Sequence, residues 1–160
     1  MEMYYTRDFS YKEFIGYSPS TEGIMVMRQD FMAKLQRLRE FIGIPIYVSH
    51  GLRSWYEQFY GICNGDPKKY YESEHQFGNA ADIYLWDTSV KKMLNLAASA
   101  KMVEFKRIGL YPYSISKFIH VDMGIPKPSE SWIKNKKGRY DYYNTITEAI
   151  EIIKKKVNLA

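Results

Sequence analysis

The chain is 160 residues long, with 46% hydrophobic and 26% charged side chains. That is enough for one domain with a real apolar core, and too apolar for a disordered segment. Its net charge of +5 favours anionic partners such as nucleic acid or wall polymers. The lysines are scattered, however, over Lys68-Lys69, Lys91-Lys92, Lys134 to Lys137 and Lys154 to Lys156. No RNA-binding or helix-turn-helix pattern accompanies them, so nucleic acid is not expected as a partner. The single cysteine, Cys63, excludes an internal disulfide. No run of ~18 apolar residues exists to span a membrane. The opening Met1-Glu2-Met3-Tyr4-Tyr5-Thr6-Arg7-Asp8 lacks the basic and apolar regions of a secretory leader. The expectation is cytosolic synthesis, or a leader already removed.

In chain order, Ser10 stands three residues before Glu13, the capping-box pattern of a short helix. Met27, Phe31, Leu35, Leu38 and Ile42 recur at helical spacing, and Gly43 is a natural stop, so a helix is predicted over 27–42. Residues 44–49 are short and β-branched and predict a strand. The segment from Ser54 to Gly61 predicts a helix, and Asn64-Gly65-Asp66-Pro67 a loop. His75 is placed in a loop or at a strand entry, and residues 80–85 in a buried strand. A second long helix follows over 88–104. Residues 108–111 and 118–122 predict a hairpin pair, and 145–157 a last amphipathic helix with Lys154, Lys155 and Lys156 in its final turns. This order predicts an α+β fold with a small, mostly antiparallel sheet flanked by helices, in a single domain over 1–160.

The chemistry concentrates at His75, Asp82 and His120. A catalytic zinc site needs three protein ligands and an open position, and these residues supply two imidazoles and a carboxylate. A lone histidine or an isolated H-x6-D spacing is a weak signal; the combination carries the weight. Asp122 follows His120 by two, so on a strand it points to the same side. It is a candidate to orient a ligand, bind substrate or accept the water's proton. Arg53, in the turn after the first strand, suits an oxyanion or a substrate carboxylate.

Ser73-x-His75-x-x-Gly78-x-Ala80-x-Asp82, followed by Phe118-Ile119-His120-Val121-Asp122, resembles the zinc D-Ala-D-Ala carboxypeptidase family. This is metallopeptidase family fifteen, whose fold is shared with the hedgehog signalling domain. Ser49-His50-Gly51-Leu52-Arg53-Ser54 is similar to its S-G-x-R-S segment. Asp8-Phe9-Ser10-x-x-Glu13-Phe14, Gly109-Leu110-Tyr111-Pro112 and Trp132 resemble one branch, so the likeness covers about residues 8 to 132.

The resemblance implies one zinc ion on His75, Asp82 and His120, with Arg53 serving substrate or transition state and Ser73 near the substrate. It implies cleavage of peptidoglycan stem peptides or cross-links, of the D,D-carboxypeptidase or endopeptidase (endolysin) type, and hence action at the cell wall. Two departures stand out. Lys117 occupies the position where many members carry the acidic general base, which makes Asp122 the substitute candidate. His50 stands where serine is common. The alternative is a catalytically inactive zinc- or wall-binding module of the same fold. The exact bond, the native metal and the oligomeric state are left open by the sequence.

Overall fold

Side chains alternate across a pleated strand, and in this chain that alternation separates an oily face from a wet one. The structure, a computed structural model, describes residues 4–14, 26–68, 73–124 and 129–158. β1 (Tyr4–Thr6) and β2 (Phe9–Ser10) form a small antiparallel pair. After α1 (Gln29–Ile42) come β3 (Tyr47–His50), β4 (Ala80–Tyr84), α2 (Val90–Met102), β5 (Arg107–Tyr111), β6 (Phe118–Asp122), β7 (Ser131–Lys134), β8 (Tyr140–Tyr143) and α3 (Ile146–Val157). Six strands form one sheet in the order β3-β4-β6-β5-β7-β8. All neighbours are antiparallel except β5 and β7, which run parallel. The fold is α+β, as expected, with a mixed sheet.

On one face, Ala81, Ile83, Ile108, Leu110, Ile119, Val121 and Ile133 are buried and join the hydrophobic core. Phe31, Leu35 and Leu38 of α1, Leu96, Ala97 and Ala100 of α2, and Ala149 and Ile153 of α3 belong to the same core. The helices form because their apolar residues recur at three and four. Ser89 and Thr145 cap α2 and α3 by accepting from the Lys92 and Glu148 amides, which satisfies donors that a helix start leaves orphaned. Lys154, Lys155 and Lys156 fall in the last turn of α3, as the dipole favours.

Several expected elements shift. The first strand of the large sheet begins at Tyr47 rather than Ile44. The helix expected over Ser54 to Gly61 is a π-helical turn, Glu57–Ile62. His75 sits on a 3-10 turn, Glu74–Phe77, not in a loop or strand entry. The Ser10/Glu13 capping box is present on a 3-10 turn, Tyr11–Glu13. β1, β7 and β8 were not legible in the sequence.

Ile119 is fully buried at the centre of the sheet, while Ile115, in the β5–β6 turn, is 98% exposed. Ile119→Ala is expected to lower unfolding stability by ~2–5 kcal/mol. Ile115→Ala should stay within ~0.5 kcal/mol. Urea unfolding of the two variants checks the contrast.

Candidate metal centre and cleft

The site is one transverse row across the wet face. Strand pairing sets His50 opposite Asp82, Asp82 opposite His120, His120 opposite Gly109, Gly109 opposite Trp132, and Trp132 opposite Tyr142. Gly109 is required in that row. A Cβ there would collide with the Trp132 indole. Its absence lets Trp132 lie across β5 with its ring 5.2 Å from that of His120.

His75 reaches the row from outside the sheet. Ser73 and Gln76 form a capping box around the 3-10 turn, the Ser73 amide donating to Gln76 Oε1 at 2.9 Å. Gly78 closes the turn in the left-handed conformation (φ 63°) against the Val26 carbonyl, where a side chain has no room. The His75 ring is thereby driven inward and is 2% exposed.

Three donor atoms converge. His75 Nε2 lies 3.1 Å from His120 Nδ1 and 3.5 Å from Asp82 Oδ1, and His120 Nδ1 lies 2.9 Å from Asp82 Oδ1. The far nitrogen of each ring is committed elsewhere. His75 Nδ1–H donates to the Gly51 carbonyl at 2.6 Å, and His120 Nε2–H donates to Asp122 Oδ2 at 2.9 Å. Such partners fix the tautomer and leave the inner nitrogen's lone pair for a cation. His75, Asp82 and His120 are the group among the described residues able to hold a metal ion. The donor set of two imidazoles and one carboxylate fits a catalytic divalent site.

The electrostatics agree. Burial pushes the His75 imidazole below its ordinary value, against the pull of Asp82. Burial opposes ionisation of Asp82, but His75 and His120 hold its carboxyl well below the usual carboxylate range. His120 is desolvated, yet the hydrogen bonds to Asp122 and Asp82 raise it to about 9 when no cation shares the site.

Asp122 is fully buried behind His120. Its two oxygens accept from Arg107 at 2.8–3.0 Å, from His120, and from the Gly124 amide at 2.8 Å. It belongs to the wet face, as the alternation predicts, but does not line the cleft.

The cleft over the row encloses about 860 Å³, within the ~300–1,000 Å³ range of small-molecule sites. Arg53 and Ser73 line it, as does His50, whose Nδ1 is 4.0 Å from Asp82 Oδ2. Arg53 Nη1 donates to the Gln58 amide oxygen at 3.0 Å, and its backbone N–H to the His75 carbonyl at 3.2 Å. Gln58 comes from the π-helical turn and is fully buried. Lys117 lies off the cleft, donating to the Ile115 carbonyl at 3.3 Å. Asp82 is the only carboxylate among the described lining residues.

Sequence reasoning missed Arg107 and the far wall: Trp132 and Lys134 of β7, Tyr140 and Tyr142 of β8. The alternation Trp132-x-Lys134 and Tyr140-x-Tyr142 was the available signal, but nothing local announced that these strands join the sheet.

The model of the family described as Peptidase M15 matches residues 7–122, which takes in all three donor residues and most of the chain. The chain belongs to the peptidase M15 family. No curated protein matches it. Membership in a peptidase family, together with a converged His-Asp-His cluster, makes it a metallopeptidase in general class. The β7–β8 hairpin lies beyond the residues that the M15 match covers.

Calorimetric titration with Zn²⁺ is expected to give one ion per chain, with a rise in melting temperature, because a ligand that binds only the folded state stabilises it. His75→Ala, Asp82→Ala and His120→Ala should each abolish that rise while retaining the native circular dichroism. A stoichiometric ion in all three variants counts against the site.

Proposed function

We propose that this chain is a zinc-dependent hydrolase of peptide bonds in peptidoglycan stem peptides or cross-links, acting at the cell wall. The observation that carries the reading is the convergence of His75 Nε2, Asp82 Oδ1 and His120 Nδ1 at the floor of an open cleft in an M15 family chain. His75, Asp82 and His120 would hold a divalent ion, which when bound would supply polarisation of a scissile carbonyl and acidification of a water.

The chain's own residues do the rest. Arg53, held by Gln58 at the cleft wall, presents a planar fork to the carbonyl oxygen as it becomes an oxyanion. Ser73 stands at the same wall for a substrate hydrogen bond. Asp122 is a positioning residue: with Arg107 clamping it, it locks the His120 ring and sets which nitrogen faces the ion. His50 is then the proton acceptor, since it is the lining group beside Asp82 with a basic atom not committed to the donor cluster, and imidazole is the commonest general base.

A second reading has one specific observation behind it. Lys117 replaces the acid expected before the last histidine, and the cleft offers no carboxylate but Asp82 among its described residues. That would suit a catalytically silent wall-binding module with the same metal centre. Digesting purified peptidoglycan with and without a chelator, with fragments identified by mass spectrometry, separates the two. Chelator-sensitive release of defined fragments supports the hydrolase and also names the bond. Retention on the wall with no new fragments supports the module.

Asp122→Asn is expected to weaken zinc binding ~10–100-fold, the usual effect of losing such a partner, and to lower turnover in proportion to metal occupancy. Full occupancy with lost turnover would instead make Asp122 the proton acceptor. Arg53→Lys should lower kcat strongly at unchanged occupancy, because lysine loses the fork. Metal-content analysis alongside steady-state kinetics reads both.

A further inference from the structure

The wall of the cleft that lies outside the family match has its own chemistry. Along β7, Ser131 and Ile133 are buried, while Trp132 and Lys134 alternate onto the cleft. Lys134 pairs with Tyr140 across to β8. Its Nζ is 5.6 Å from the Tyr140 ring centroid and 5.9 Å from that of Tyr111. Tyr111 is in turn stacked on Phe118 at 4.2 Å. Burial raises the Tyr111 hydroxyl above its ordinary value.

Three cations among the described residues face the cleft, Arg53, Arg107 and Lys134. Arg107 is paired with Asp122, and Arg53 leans on an amide. Lys134 has no acidic partner among the described residues. Aromatic faces hold an ammonium in place without discharging it, which leaves it able to form a charge-assisted hydrogen bond to an incoming anion.

We infer that Lys134, held between Tyr111 and Tyr140, is an anion subsite that binds a carboxylate of the substrate remote from the bond being cut. This rests on the hydrolase reading. The placement sets the spacing. β7 is two strands from β6, and Lys134 is two residues beyond Trp132 in the ligand row. Two strand separations and two residues of rise put it roughly 12 Å from His120. An extended peptide covers ~3.3–3.6 Å per residue. The carboxylate is therefore some three residues from the reacting carbonyl, too far for the terminal carboxyl of a single residue being released. Where a single residue is released, it belongs to a side-chain or branch-point carboxylate of the stem peptide.

The test uses the metal-loaded full chain and three synthetic stem pentapeptides, L-Ala-γ-D-Glu-L-Lys-D-Ala-D-Ala. One carries both carboxylates, one has the glutamate α-carboxyl amidated, and one has the C-terminus amidated. Binding is measured by calorimetry and cleavage by mass spectrometry. We expect amidation of the glutamate α-carboxyl to weaken binding about 10–100-fold, the usual worth of a hydrogen bond to a charged group. Lys134→Met should abolish that difference, and Lys134→Arg should restore it.

A loss on C-terminal amidation that Lys134→Met removes still supports the subsite, but assigns it to the terminal carboxylate and corrects the spacing. Equal affinity for all three peptides overturns the subsite and leaves cleavage standing. So does a Lys134→Met variant that weakens all three alike, since that is a structural effect. If the carboxylate preference holds and vanishes in Lys134→Met but no peptide or peptidoglycan is cut, the subsite stands and the hydrolase reading falls.

Discussion

The pairing of β4 with β6 holds the rest of the site in place. It sets Asp82 directly opposite His120, and because side chains alternate along each strand, it also decides which of their neighbours face the helices. A slip of one residue would move Ile83, Ile119 and Val121 from the oily face to the wet one and carry both ligands into the core. The apolar face therefore enforces the ligand geometry. Every buried contact that Ile119 and Val121 make with the helical layer resists the one-residue slip that would separate Asp82 from His120.

Around that pair, charge is arranged in series. Arg107 faces Asp122, Asp122 faces His120, His120 faces Asp82, and Asp82 faces His75, whose outer nitrogen ends on the Gly51 carbonyl. Each buried polar group has its partner on the next, which is the condition for taking such groups out of water at tolerable cost. The series crosses from β5 to the turn before β4, so it also ties the sheet to the segment that carries Arg53. Gly51 is packed against Phe14, and the Leu52 amide donates to the Phe14 carbonyl. The N-terminal turn thus props the loop that receives His75.

The donor residues were legible because their chemistry is local in type and their spacing is tight. His75, Gly78 and Asp82 sit within one turn and one strand, and His120 lies in an unmistakable apolar run. The helices were legible because their apolar period is long and regular. Which of its three candidate roles Asp122 takes could not be read from sequence, since strand alternation places a carboxylate on a face but says nothing of whether another side chain lies over it. Arg107 was invisible for the same reason: its partner is 15 residues away across a strand pair. Tyr140 and Tyr142 carry alternation without apolar character on either side, so nothing local distinguishes β8 from a tyrosine-rich loop. The π-helical turn was read as an ordinary helix because 3.6 and 4.4 residues per turn cannot be told apart over eight residues.

The parallel junction between β5 and β7 divides the cleft into two parts with different histories in the folding chain. His75, Asp82 and His120 close within 46 positions of sequence, by a hairpin and one crossover, whereas the Trp132–Tyr142 wall joins the sheet through the parallel pairing of β7 with β5. Local opening is easiest where buried contacts are few and backbone hydrogen bonds are exposed. β8 is an edge strand of the six-stranded sheet, whereas β4 and β6 are each paired on both sides.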